Sequence, residues 1–265
     1  VSGAAPWPGR PAHPRALEAL GAVQHFLHPS WYDATYRRRR HDVAFYAPRA
    51  AAAGRVLELG CGSGRITLPM ARAGARVRAV DRSAPMVEAL RGALAGAPAA
   101  VRDRVTVDRA DLREVVVDEP FPLVVCPFNT FLHLYTRQDV ARALERVRAA
   151  LAPGGRFLFD VSLPRPADLR DRTRRGRRVR RGGRDFTYAE DFRWEPLEQI
   201  LYVTMTFTPL DGGEPVVQLL AHRQFFPAEL EALLAASGFE VVEATEWGAP
   251  LGVDPDTLVL GCRPA

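Results

Sequence analysis

The chain has 265 residues, 47% hydrophobic and 25% charged, which is enough for one sizeable core and too ordinary for wholesale disorder. No apolar run approaches the roughly 18 residues of a membrane span, and three scattered cysteines (Cys61, Cys126, Cys262) exclude a disulfide scaffold and fit a reducing, cytoplasmic compartment. The formal charge of +5 is local: residues 165–184 hold ten arginines and two aspartates, so the rest of the chain is mildly acidic, unlike the spread charge of most nucleic-acid binders.

Residues 1–16 read as a flexible leader, rich in Pro and Gly and without an apolar secretory segment. From 17 to 52 the pattern is helical, broken at His28-Pro29. The apolar run VLELG at 56–60 predicts a strand, its glycines a tight turn, and RITLPMARAG an amphipathic helix. Residues 75–80 predict a second strand ending in Asp81, with Ser83 as N-cap and Pro85 in the first turn of a helix over 85–95. VTVDRAD (105–111) reads as a third strand and LVVCPF (123–128) as a fourth, buried on both sides. Val140, Leu144, Val147 and Leu151 share one helix face, Gly154-Gly155 ends that helix, and RFLFDVSL is a fifth strand. Strands alternating with helices imply a parallel, doubly wound sheet.

The alternation then stops. Residues 165–184 read as a polar, Arg-rich loop. Three period-2 runs follow between 185 and 226, with Asp211-Gly212-Gly213 as a turn, and predict an antiparallel meander. A helix over 228–237 and strands over 239–247 and 256–263 resume the main fold.

The chemistry concentrates in Glu58-Leu59-Gly60-Cys61-Gly62-Ser63-Gly64. Glycines between a strand and a helix let a ligand approach the backbone closely. Asp81, ending the next strand, is placed for ribose hydroxyls, and Asp111 ends the third strand beside Leu112. A nicotinamide site would spell GxGxxG, whereas this string is GCGSGR, with Arg65 in place of spacing for a third glycine. Cys61 reads as a small filler inside the loop.

VLELGCGSGR, the acid of AVDRS, the acid of DRADLR and the signal LAPGGRFLFD together resemble the class I S-adenosylmethionine-dependent methyltransferases, over residues 44–163 and 226–265. The resemblance implies a Rossmann-like, seven-stranded α/β sheet with its last strand antiparallel, and S-adenosylmethionine as cofactor. It implies that Gly60, Gly62 and Gly64, with Cys61 between them, cradle the methionyl part, and that Glu58 organises the loop. Asp81 would take the ribose hydroxyls, Arg82 and Met86 would flank the adenine, and Asp111 and the Leu112 backbone would read its edge. Phe128 would meet the cofactor at the end of the fourth strand, where the methyl is transferred.

That region, Cys126–Leu134, lacks the [DN]PPY spelling of base and glutamine methyltransferases. It resembles a small-molecule group that includes amino-sugar and glycine N-methyltransferases, many with a β-rich lid inserted after the fifth strand. The implied organisation is the leader 1–16, a methyltransferase domain over 17–164 and 226–265, and an Arg-rich loop with a β lid over 165–225. Four residues are candidates for the reacting end. His133 is a possible base, with an ordinary pKa of about 6.5. Asn129 is a holder of a substrate polar group, and Tyr32 and Tyr36 are orienting hydroxyls. His222 is a weaker candidate. No metal site is expected. The expected acceptor is a small molecule methylated on nitrogen or oxygen by a possible homodimer. An RNA methyltransferase gripping phosphates with the Arg-rich loop and a non-catalytic cofactor-binding protein are the alternatives.

Overall fold

Short apolar runs separated by amphipathic ones become the frame of the molecule. The computed structural model describes residues 14–253 and 255–265. Strands β1 (Arg55–Leu59), β2 (Arg76–Asp81), β3 (Val105–Arg109), β4 (Phe121–Cys126), β5 (Leu151–Ser162), β10 (Phe239–Thr245) and β11 (Thr257–Pro264) form one sheet. Their order is β10-β11-β5-β4-β1-β2-β3. Neighbours among β1 to β5 are parallel, and β11 alone runs antiparallel to both β5 and β10. The expected seven-stranded sheet with its last strand reversed is therefore the observed one.

Helices α1 (Pro14–Gly21), α2 (Pro29–Tyr36) and α3 (His41–Ala53) precede this sheet. Helices α4 (Thr67–Arg72), α5 (Ala84–Ala95), α6 (Ala99–Arg102), α7 (Arg137–Ala150) and α8 (Pro227–Ala236) connect its strands. Helix α7 shows the local logic. Thr136 Oγ1 accepts from the Asp139 backbone N–H at 3.0 Å, and Asp139 in turn accepts from the Thr136 backbone, closing a capping box. Val140, Leu144 and Val147 are buried on one face against β4 and β5, each contributing roughly 1.5–3 kcal/mol. The helix stops at Ala150, before the expected Gly154-Gly155, because Leu151 is already extended and pairs with Phe121.

The inserted region is a second sheet, β6 (Arg172–Arg181), β7 (Arg184–Glu195), β8 (Ile200–Pro209) and β9 (Val216–Arg223), antiparallel throughout in the order β6-β7-β8-β9. Three strands were expected here; the fourth comes from the stretch read as an Arg-rich loop. Arginine on both faces hides a period-2 pattern. Yet the aliphatic stems and flat guanidinium groups of inward arginines pack like apolar side chains: Arg172 over Phe192 at 3.9 Å and Arg181 over Trp31 at 4.4 Å. The charged strand lies at the sheet edge, where it discourages pairing with another chain.

This lid is held from both sides. Trp31 of α2 packs on Phe186 and Phe207, at 4.8 and 4.4 Å between centroids. Leu17 of α1 packs on Ile200, Tyr202, Leu219 and Ala221 on the opposite face. A Cβ on Gly21 would overlap Ala221, so α1 sits as close as a glycine permits. The expected leader falls outside the described residues up to 13, and residues 14–16 open α1.

Candidate active site

The glycine loop joins β1 to α4. Gly60, Gly62 and Gly64 all have positive φ, at 77°, 54° and 94°, a region unfavourable for side chains. A Cβ at Gly60 would overlap Thr130 and one at Gly64 would overlap Leu90. At Gly62 the space is open: the nearest atom is the Tyr32 hydroxyl, 4.0 Å away. Gly62 thus faces a cavity of about 650 Å³, within the usual range for small-molecule sites.

Asp81 stands at the end of β2 on the wall of that cavity. Its Oδ2 accepts from Gly62 N at 2.8 Å and its Oδ1 from Ser83 N at 2.8 Å. Burial raises its pKa, and the backbone donors pull it back. Ser83 holds the N-cap position, but its hydroxyl donates to the Phe26 carbonyl instead of capping α5. Glu58 lies behind the loop, 1% exposed, and accepts from Thr67 Oγ1 at 2.6 Å. Burial pushes its pKa up to about 8. Cys61 and Met86 are buried, and neither they, Gly64 nor Glu58 belongs to the cavity wall.

Arg82, Asp111 and Leu112 line the same end. Asp111 lies two residues past β3, not at its last position. It accepts from Arg113 Nε and Arg113 N at 2.9 Å, and from a second guanidinium nitrogen at 2.7 Å. Burial alone would raise its pKa; these bonds bring it below the ordinary value. Glu18 of α1 pairs with both Arg82 and Arg113, closing this end from above.

The loop after β4 separates the two halves of the cavity. Phe128 and Asn129 both have positive φ, 57° and 61°, a strain of about 1–3 kcal/mol each. Phe128 N donates to Asp160 Oδ1 at 2.8 Å, and so does the Tyr46 hydroxyl at 2.7 Å. Asp160 is fully buried, its pKa pushed up to about 6 by burial, and its Oδ2 has no partner among the described residues. Asn129 Oδ1 accepts from Ser162 N at 2.7 Å and its Nδ2 donates to Ser162 Oγ at 2.9 Å. The expected substrate-holding side chain thus pins the loop to β5. The Phe128 ring is flanked by Arg65 at 4.4 Å and Arg39 at 4.8 Å, both paired with buried Asp42.

Beyond Phe128 the wall is aromatic. Tyr36 meets Phe128 edge-on at 4.9 Å and Tyr32 at 4.9 Å. Phe26 meets His133 at 5.4 Å, and His133 meets His222 at 5.0 Å. Burial holds the Tyr32 and Tyr36 phenols protonated. His133 Nδ1 is 3.4 Å from the Tyr135 hydroxyl, whose proton goes to the Ala221 carbonyl at 2.9 Å. The hydroxyl therefore accepts from Nδ1–H, and Nε2 keeps its lone pair. Burial, reinforced by His222 and Arg82, drives the His133 pKa well below 6.5. The expectation was titration near the ordinary value; the burial of His133 favours its neutral imidazole instead. His222 is likewise lowered, to about 3, by burial.

The structure therefore brings Tyr32, Tyr36, Phe128, Asn129 and His133 into one cavity with Gly60, Gly62, Asp81, Arg82, Asp111 and Leu112. Asp160 and Asp42 were not singled out in the sequence. Among the described residues, no group of three or more His, Cys, Asp or Glu side chains could hold a metal ion. No helix among them is long and apolar enough to cross a membrane. The open cradle at Gly62 and the carboxylate of Asp81 fit a ligand with a hydroxylated ribose and a chain that runs along the glycine loop.

A family model described as a methyltransferase domain matches residues 56–155. A cypemycin N-terminal methyltransferase from Streptomyces sp is 31% identical over 207 residues, 77% of this chain and 71% of that protein. Among solved structures, the CcbJ methyltransferase from Streptomyces caelestis aligns with a TM-score of 0.74 at 25% identity, covering 85% of this chain and 89% of that one. The glycopeptide N-methyltransferase MtfA complexed with S-adenosylmethionine aligns with a TM-score of 0.62 at 26% identity, covering 85% and 93%.

Proposed function

Because this chain belongs to the S-adenosylmethionine-dependent methyltransferases, we propose that it methylates the nitrogen of an amine carried by a small molecule or peptide enclosed beneath the β lid. One observation carries this reading: a single cavity runs from Gly62 and Asp81 past Phe128 to the lid residues Leu201, Val203, Leu220 and His222. The printed names of two relatives, an N-terminal methyltransferase and a glycopeptide N-methyltransferase, support nitrogen over oxygen.

When bound, S-adenosylmethionine supplies a methyl group that is already electrophilic on its sulfonium. The chain's task is placement. Gly60 and Gly62 give the methionyl part close backbone approach while Gly64 packs against Leu90, Asp81 receives the ribose hydroxyls, and Arg82, Asp111 and Leu112 wall the base. Phe128, locked by Asp160, sets where the two halves meet. Tyr32 and Tyr36 donate hydrogen bonds near that point, and His133 Nε2 accepts one from the incoming amine. The lid and α2 exclude water. Positioning of this kind is worth on the order of 7–11 kcal/mol. A cytoplasmic location and a homodimer belong to the same reading; light scattering decides the second.

The test is release of S-adenosylhomocysteine with a panel of amino sugars, peptides with free N-termini and matched alcohols. Turnover with at least one amine and none of the alcohols is expected. Turnover with alcohols alone would overturn the assignment of nitrogen.

A further inference from the structure

The lid's inner face is set by its register. Tyr188, Glu190 and Phe192 of β7 lie beside Phe207, Met205 and Val203 of β8, and Met205 and Val203 lie beside Gln218 and Leu220 of β9. Asp185, Asp191 and Glu195 alternate to the other face. Strands β6, β8 and β9 contain no acidic residue. Glu190 is therefore the one acid on the face that covers the cavity, whose wall it forms with Tyr36, Phe128, Phe192 and Val203.

Its carboxylate is incompletely used. Oε1 accepts from the Tyr188 hydroxyl at 2.6 Å. Oε2 has Arg174 at 3.8 Å, beyond hydrogen-bond reach, and the Arg174 side chain is 75% exposed while that of Glu190 is 19% exposed. Two further inward cations nearby are stacked on rings, Arg177 over Tyr188 at 5.0 Å and Arg172 over Phe192 at 3.9 Å. An ion pair as exposed and as long as Arg174–Glu190 contributes little. The wall mixes polar and apolar groups, with Arg39, Arg172 and Arg174 among them, and a part-buried carboxylate with acceptor capacity left over among the described residues and the rings of Tyr36, Phe128 and Phe192 on the same wall is suited to a cation.

We infer that Glu190 is the acceptor-recognition residue of the lid, and that it selects acceptors bearing a cationic amine, taking an N–H of the ammonium on Oε2 while Tyr36, Phe128 and Phe192 enclose its carbon skeleton. The inference rests on the proposed amine methylation and names the group that recognises the amine. It explains why one acid stands on an otherwise acid-free surface. It also separates the labours of the site: Glu190 captures the acceptor as an ammonium and takes one proton from it, which leaves the amine neutral with a free lone pair, and the Phe128 loop places it.

The test is calorimetric titration of the full chain, preloaded with S-adenosylhomocysteine, with cyclohexylamine and with cyclohexanol. Cyclohexylamine should bind Glu190→Gln about tenfold more weakly than wild type, the loss of one hydrogen bond to a charged group. Cyclohexanol should bind both equally. Arg174→Gln, which removes the loose competing cation, should bind cyclohexylamine more tightly than wild type, and provides a second reading if Glu190→Gln misfolds. Equal amine affinity in Glu190→Gln and wild type, no detectable amine binding to wild type, or weaker binding in Arg174→Gln would each overturn the inference. Loss of amine binding in Glu190→Gln without transfer to any panel amine would retire the proposed reaction and leave this role standing. Transfer to an amine that Glu190→Gln does not affect would do the reverse.

Discussion

The two ends of the cavity are built from different materials. The end at Gly62 is mostly backbone: Gly60 and Gly62 with positive φ, and a carboxylate fastened to two main-chain N–H groups. The end under the lid is mostly side chain, assembled from α2, the loop after β4 and the inner faces of β7, β8 and β9. Backbone geometry leaves few substitutes, because only glycine tolerates those φ angles beside such close neighbours. Side-chain walls can be refitted residue by residue on an unchanged sheet. A family that keeps one donor and changes its acceptors needs this division.

The sharpest break in that comparison is Gly60→Val. Its Cβ would overlap Thr130 at a φ of 77°, combining strain of about 1–3 kcal/mol with overpacking of about 1–3 kcal/mol. Cofactor affinity measured by calorimetry should fall by a hundredfold or more, or the chain should fail to fold. A lid-side change, Val203→Ile, which adds one methylene, should leave cofactor affinity within about twofold.

Asp160→Ala comes next. It removes the common acceptor of Tyr46 and Phe128 N, each bond being worth roughly 1.5–3 kcal/mol when the acceptor is charged. Thermal unfolding should shift down by several degrees. Turnover should fall far more than cofactor affinity, because the strained Phe128 loop relaxes while the glycine loop stays. Equal losses in both would mean that the loop serves the cofactor end alone.

Asp81→Ala should weaken cofactor binding at least tenfold and spare acceptor binding, the mirror image of Glu190→Gln. Unchanged cofactor affinity in a folded variant would remove Asp81 from the ribose.

The smallest effect concerns pH. Glu58 has its folded pKa raised to about 8 by burial, above an unfolded value near 4.3. The folded state therefore binds this proton more tightly than the unfolded one. Its stabilisation is complete below the unfolded value and is lost as pH rises through about 8. The melting temperature of the wild type should decline between about pH 5 and pH 8 and level off above it, and Glu58→Gln should decline less. Parallel curves would place Glu58 as a carboxylate throughout.

The cofactor half was legible because its chemistry is local in sequence. Strand, glycines and two following acids lie within about sixty residues, and their spacing is fixed by the sheet. Where that reading erred it erred at a boundary: Asp111 stands two residues beyond β3. The acceptor half was less legible because its contacts join distant segments. Nothing near Asp160 in sequence announces Tyr46 or Phe128, and Glu190 acquires meaning only when the register of β7 decides which face it takes. The Arg-rich strand was hidden because arginine served where a valine would have signalled a buried face. His133 was found, but its pKa depends on burial and on the neighbouring His222 and Arg82 charges, which no local pattern conveys.

The most direct measurement follows the methyl group itself. The wild-type chain is incubated with S-adenosylmethionine carrying a carbon-13 methyl and a mixture of amino sugars and peptides with free N-termini, and the products are read by carbon NMR. The expected result is label in N-methyl groups, absent from a parallel reaction with Asp81→Ala at a cofactor concentration below its weakened Kd. Label found only in O-methyl groups, or in no product while calorimetry shows the cofactor bound, would contradict amine methylation in this cavity.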